Sequence, residues 1–224
     1  KYPEVKLVGL CHGFGGVYEL ADILGLEHEK ITYELPGINH FVWLNSFGYD
    51  GQDAFPLIDK WVAERSEEYG KTCKYSDKFG PKPVDLYKRY GLFPIGDTAN
   101  PGGGAWGRGY HTSPEVEKQW NEDPDEWFKW YFDLSNGQVK LVRDAAYDTS
   151  KKVTELIPSG HSNEPMIPLI EAIACDVERV VIVNTINDSE YVPGVPRDFE
   201  VEIPALVSRR GIQGIKTKAL PKSI

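Results

Sequence analysis

The sequence predicts an α/β protein, most of it a single α+β domain. Three observations support this. Short runs of β-branched and aromatic residues end at turn signals, longer stretches repeat their apolar residues at helical spacing, and neither a repeat nor a linker divides the chain.

In chain order, the apolar run Val5–Leu10 reads as a buried strand that delivers Cys11 to its carboxyl end, and Gly13, Gly15 and Gly16 open a helix over Val17–Leu24. Lys30–Leu35 and His40–Tyr49 read as strands, the second closed by the turn pair Asp50-Gly51. Phe55–Tyr69 has helical periodicity through Leu57, Ile58, Trp61 and Val62, and Val84–Tyr90 is a short helix stopped by Gly91. Glycines at 102, 103, 104, 107 and 109 make Pro101–Gly109 a loop. Ser113-Pro114 places an N-cap before a proline at the first helical position; that helix is interrupted at Asp123-Pro124 and resumes through Trp127 and Phe132. Pro165–Ala174 is a helix, while Arg179–Thr185 and Glu200–Ile203 are strands.

Composition limits the function classes. A chain of 224 residues can bury one substantial core, and 41% hydrophobic with 26% charged residues is ordinary for a globular protein. No apolar run approaches the roughly 20 residues that a membrane helix needs. A net charge of −9 argues against a nucleic-acid surface. Three cysteines form no disulfide framework, so a reducing, cytoplasmic setting is expected.

Cys11 and His40 carry the chemical signal. A cysteine at a helix amino terminus has its thiolate stabilised by the local positive potential, and an imidazole in a setting that could hold it rigidly is a second divalent-metal donor. Spacing alone leaves open a buried structural cysteine beside an unrelated histidine.

Four blocks extend this pattern: Gly9-Leu10-Cys11-His12-Gly13 with Gly37-Ile38-Asn39-His40-Phe41-Val42-Trp43-Leu44; Ser159-Gly160-His161-Ser162-Asn163-Glu164 with Ile167–Ile173; Val183-Asn184-Thr185-Ile186-Asn187; and Val195-Pro196, Val201–Val207, Gly211-Ile212 and Leu220-Pro221. Together, in this order, they resemble glycoside hydrolase family 4. The resemblance implies the second, α+β domain of a fold like that of lactate and malate dehydrogenases, with residues 1–12 the end of an amino-terminal Rossmann domain and 13–224 the metal- and substrate-binding domain. The chain has no G-x-G-x-x-G fingerprint, so the expectation is a fragment that lacks most of the NAD site and binds NAD poorly by itself.

The resemblance also implies a chemistry that stands outside the two-carboxylate mechanism of most glycosidases. NAD oxidises the sugar at C3, a base removes the acidified C2 proton, the C1–O bond breaks by elimination, water adds, and NADH reduces the ketone. A metal, Mn2+ or another divalent ion, polarises the oxygens on C2 and C3. Cys11 and His40 match the metal ligands, and Asn39 matches a position that hydrogen-bonds sugar hydroxyls, its plain alternative being a turn residue. Asp97, in Leu92-Phe93-Pro94-Ile95-Gly96-Asp97, stands where relatives acting on unphosphorylated sugars carry the base; otherwise it caps a turn before Thr98. Thr98-Ala99-Asn100-Pro101 departs from the family pattern there. His12 resembles the subgroup acting on neutral sugars or uronates, and either protonates the leaving oxygen or contacts the substrate. Arg108, with Arg89 and Arg143 as alternatives, is the candidate clamp for a uronate carboxylate. His111 and His161 lie near loops, and His28 reads as a solvated surface residue.

The implied activity is hydrolysis of an α-glycoside of an unphosphorylated sugar, α-glucoside or α-glucuronide, a small-molecule substrate. Two other readings remain: a dehydrogenase of the malate or lactate type, which predicts a histidine–aspartate pair without a cysteine ligand, and a carbohydrate-binding domain that uses some of the six tryptophans and twelve tyrosines. Trp120, Trp127 and Trp130 are expected in core or subunit packing, and a homodimer or homotetramer is implied.

Overall fold

The computed structural model describes residues 8–73, 79–100, 107–157, 160, 164–222 and 224, with the side chain of Arg108 excepted. Residues 1–7, and with them most of the strand expected over Val5–Leu10, lie outside this set, as does His161. A 3-10 turn, Gly13–Gly15, leads into helix α1 (Gly16–Leu24). Gly25 ends α1 in the left-handed region at φ 75°, and Leu26 N–H returns to the Ala21 carbonyl at 2.9 Å.

The strand segment expected over His40–Tyr49 divides between two sheets. Strands β1 (Ile31–Glu34), β2 (Gly37–Ile38), β3 (Phe41–Leu44), β4 (Ser46–Tyr49) and β5 (Gln52–Asp53) follow in close succession. β1, β4 and β5 form a three-stranded antiparallel sheet. Asp50 and Gly51, at φ 50° and 75°, make the two-residue turn between β4 and β5, because both positions of a type I′ hairpin need positive φ. Asn45 separates β3 from β4; its N–H donates to Glu34 O at 3.1 Å while its neighbours join different sheets.

The helix expected over Phe55–Tyr69 is two: α2 (Phe55–Glu64) and α3 (Ser66–Thr72), broken at Arg65 where φ reaches −131°. Helix α4 (Pro81–Tyr90) stops at Gly91 (φ 72°) and hands the chain to β6 (Phe93–Gly96). Ser113 caps α5 (Pro114–Trp120) as its sequence position suggests, accepting from Val116 N at 3.4 Å, and the interruption expected at Asp123-Pro124 is the start of a separate helix, α6 (Pro124–Tyr147), whose N-cap Asp123 accepts from Glu126 N at 2.9 Å. α6 runs well past Phe132. Helices α7 (Val153–Leu156) and α8 (Met166–Cys175) precede strands β7 (Arg179–Ile186), β8 (Glu200–Ser208) and β9 (Gly211–Gly214).

The second sheet has the order β6-β3-β2-β8-β7, with β9 also on β8, and every pairing in it is antiparallel. The main core, with Phe14, Leu20, Leu35, Ile58, Trp61, Phe79, Phe93 and Ile95, packs α1, α2 and α4 against β3 and β6. A second cluster presses Leu169 and Ala172 of α8 onto Val183, Ala205 and Val207. Trp120 packs edge-on to Tyr110 (5.1 Å), as core packing requires, whereas Trp130 is 42% exposed on α6. These layers bring four chain segments to one place: the start of α1, the β2–β3 turn, the end of β6 and the middle of β8.

Candidate active site

The β2–β3 hairpin sets the geometry. Ile38 pairs with Phe41, leaving Asn39 and His40 as a two-residue turn in which His40 has φ 64°. That is the position of a type II turn where glycine is usual, so a histidine there is strained and must be held by its surroundings. Two contacts hold it: His40 N–H donates to Glu202 Oε2 at 3.3 Å, and its carbonyl accepts from Asp97 N–H at 3.1 Å. Close approach on both flanks requires glycine. A Cβ on Gly37 would lie 2.0 Å from Phe41 O, and one on Gly96 would lie 2.8 Å from His40 O.

The side chain of His40 is fixed as firmly as its backbone. Its Nδ1 lies 2.6 Å from Asp97 Oδ2, and the other Asp97 oxygen accepts from Asn100 Nδ2 at 3.0 Å. An ionised carboxylate only accepts, so Nδ1 carries the proton and Nε2 keeps its lone pair free for an electrophile. This is the carboxylate–histidine arrangement that orients metal-ligating imidazoles.

Cys11 lies just before the 3-10 turn that leads into α1, beside Glu202. It is buried, and its Sγ accepts from Gly13 N–H at 3.2 Å. A Cβ on Gly13 would touch both Cys11 Sγ (3.3 Å) and Glu202 Oε1 (3.5 Å), so thiol and carboxylate border the same small space. The thiolate stabilisation expected at a helix amino terminus is not found: burial, and next the Glu202 charge, push the Cys11 thiol up to about 12, and α1 begins only at Gly16. Glu202 is itself fully buried, which raises its carboxyl, with the His40 N–H pulling the other way. Its Oε1 has no hydrogen-bond partner among the described residues.

Glu202 thus lies between the Cys11 thiol and the His40 backbone, and Asp97 holds the His40 ring from its other side. A divalent ion suits this donor set, since it draws the thiol to its thiolate form and offsets the acidic surplus. Among the described residues no three His, Cys, Asp or Glu side chains form a ready-made cage.

A family model for the family 4 glycosyl hydrolase C-terminal domain matches residues 35–224. The chain belongs to this glycoside hydrolase family. An α-galacturonidase of Lachnoclostridium phytofermentans is 26% identical over all of the chain and 50% of its own length, and one of Bacillus subtilis is 25% identical over all of the chain and 51% of its own. The chain therefore spans about half the length of the curated relatives it matches. The solved structure of lplD from Bacillus subtilis superposes with a TM-score of 0.71 at 26% identity, covering 99% of the chain and 52% of that protein. A 6-phospho-α-glucosidase from gut microorganisms, solved in complex with NAD and Mn2+, shares the fold at a TM-score of 0.66 and 15% identity, over 99% of the chain and 49% of its own.

The remaining candidates of this family 4 domain divide into two groups. His12 lies apart from Cys11 in its contacts: its Nδ1 is 3.0 Å from Glu164 Oε1 and its ring is half exposed. Asn39 is exposed, with its Oδ1 accepting from Asn184 Nδ2 at 2.8 Å, and Asn184 also bonds Glu200. The Arg108 backbone opens a 3-10 turn, Arg108–Tyr110, and its side chain lies outside the described residues. Arg89 is engaged with Asp85 at 2.5 Å. His111 lies between Glu117 and Glu122, 3.3 Å from each. His28 is tied down at the surface, 2.8 Å from Asp22 and against the ring of Tyr18.

Sequence reasoning assigned no role to Glu202, Glu164 or Asn100. For Glu202 a signal existed: a carboxylate inside the apolar run Val201–Val207, where both faces of the strand are buried.

Proposed function

We propose that this chain is the metal- and sugar-binding half of an NAD-dependent glycosidase that cleaves α-glycosides of unphosphorylated sugars, with uronides the favoured class. The convergence of Cys11, His40 and Asp97 around Glu202 carries this reading. The α-galacturonidases matched over the whole chain favour a uronide over a neutral glucoside. Cys11 Sγ and His40 Nε2 would hold the divalent ion, Mn2+ in the family reading, although a thiolate also suits softer metals. When bound, NAD supplies oxidation at sugar C3 and the ion supplies Lewis-acid polarisation of the oxygens on C2 and C3.

Each remaining residue has a defined task. Asp97 is 40% exposed in its side chain, so it can accept the C2 proton while it keeps its bond to His40. His12, oriented by Glu164, protonates the leaving oxygen. Asn39, braced by Asn184, presents its amide to sugar hydroxyls, and Arg108 is the proposed partner of a uronate carboxylate. Residues 1–12 close a nucleotide-binding domain and 13–224 form the substrate domain. The exposed aromatic side of α6, with Phe128, Trp130, Tyr131 and Phe132, is the proposed contact of a homodimer or homotetramer. Among the described residues no helix is long and apolar enough to cross a membrane, and a cytoplasmic location is part of the proposal.

The His40–Asp97 pair also fits a malate-type dehydrogenase. The test separates the two: the full-length protein is assayed on aryl α-glucoside, α-galactoside, α-glucuronide and α-galacturonide, with and without NAD and Mn2+, under reducing conditions. Hydrolysis that needs both additions, with solvent deuterium entering at C2, supports the proposal. Hydrolysis without NAD, or turnover of 2-hydroxy acids alone, overturns it.

A further inference from the structure

Behind Asp97 lies a fully buried lysine that the proposed reaction does not use. Lys82, in the first turn of α4, has no exposed surface, and its Nζ donates to Glu122 Oε2 at 2.8 Å and to the main-chain carbonyl of Asn100 at 2.5 Å. Asn100 is buried and follows Thr98 and Ala99, which are buried too, so the segment after β6 packs tightly against the interior. Its carboxamide nitrogen donates to Asp97 Oδ1 at 3.0 Å, while its Oδ1 has no partner among the described residues. A buried amide left half-satisfied is costly.

We propose that Lys82 is a positioning residue for His40: its ammonium pins the Asn100 backbone, so that the Asn100 amide fixes Asp97 and Asp97 fixes the Nδ1–H tautomer that presents Nε2 to the metal. This rests on the metal-site reading given above. A buried ion pair is a weak source of stability, and apolar replacements of such pairs are often neutral or stabilising. The chain of bonds Lys82–Asn100–Asp97–His40 gives this lysine a use beyond stability.

The test uses the full-length protein as wild type, Lys82→Met, the double variant Lys82→Met/Glu122→Gln, and Asn100→Ala. The double variant leaves no unpaired buried charge, and Asn100→Ala breaks the same chain of bonds with the ion pair intact, so a folded variant is available either way. Two properties are read: Co2+ affinity, from the cobalt–thiolate absorption of Cys11, and the slowly exchanging Nδ1 proton of His40, by NMR with 15N-histidine. Loss of an outer hydrogen-bond partner typically costs 10–100-fold in metal affinity. The expected result is a folded protein with Co2+ affinity reduced about 10-fold or more and the His40 proton lost to exchange. A folded variant with wild-type Co2+ affinity and a protected proton overturns the proposal. If wild type shows the protected proton but no cobalt–thiolate band, the metal reading falls. The positioning role is then decided by the proton alone, and a proton still protected in the variants overturns it.

Discussion

Replacing His40 by glycine and, separately, by alanine divides its two contributions. Both substitutions delete the imidazole, its bond to Asp97 and the proposed metal donor, so they differ only in whether a Cβ must sit at φ 64°. A residue with a Cβ pays roughly 1–2 kcal/mol in that region, and glycine gives back roughly 0.5–1 kcal/mol through its freer unfolded chain. The glycine variant should therefore exceed the alanine variant in stability by roughly 0.5–1 kcal/mol, or about 1–4 °C in Tm for a domain of this size. Thermal and urea unfolding of both variants, with and without Mn2+, measure this directly. An ion at about 100 times its Kd that binds only the folded state adds about 2.7 kcal/mol, and neither variant should gain it. Equal stability of the two would mean that the turn is unstrained and that the grip of Glu202 and Asp97 on His40 is unnecessary. An undiminished Mn2+ shift in either variant would remove His40 from the donor set.

Cys11→Ser should keep the fold and abolish both the cobalt–thiolate band and glycosidase activity; normal turnover in that variant would refute the metal role of the thiol. Gly37→Ala should cost more than about 4 kcal/mol or prevent folding, because its Cβ would lie 2.0 Å from Phe41 O; native-like urea unfolding would contradict the hairpin register. Asp97→Asn should weaken Co2+ binding by about 10-fold or more and suppress C2 proton exchange in deuterated water, so continued exchange removes Asp97 as the base. The phenols of Tyr87 and Tyr110 sit above their ordinary value of 10.0, first through burial and then through their bonds to Asp59 and Asp85. From about pH 10 upward the folded chain keeps protons that the unfolded chain releases, so stability should fall as pH rises. Urea unfolding between about pH 9 and about pH 11 should show a shallower fall for Tyr87→Phe, and an unchanged slope would remove Tyr87 as a source.

What the sequence reveals and what it hides follow from how local each cause is. Cys11, the glycines after it and the Asn39-His40 turn are local, and their chemistry is written within a few residues. So are the Ser113 cap and the Asp50-Gly51 turn, both of which the structure reproduces. The run from His40 to Tyr49 is locally one strand; it becomes two because β3 finds its partner in β6 and β4 finds its partner in β1, information stored in other segments. The site divides in the same way. Its proposed donors stand out in the sequence, whereas their supports come from far along the chain: Glu202 from β8, Asn100 after β6, Lys82 from α4 and Glu122 from the turn after α5. Lys82, between two prolines in a helix's first turn, reads as a solvated charge, and only the packing of α4 under the segment after β6 buries it. A charge inside an apolar run, as at Glu202, is the one such support that a sequence discloses, because no solvated face exists there to excuse it. Buried charges of that kind should be sought first when a donor pair is known and the residues that hold it are not.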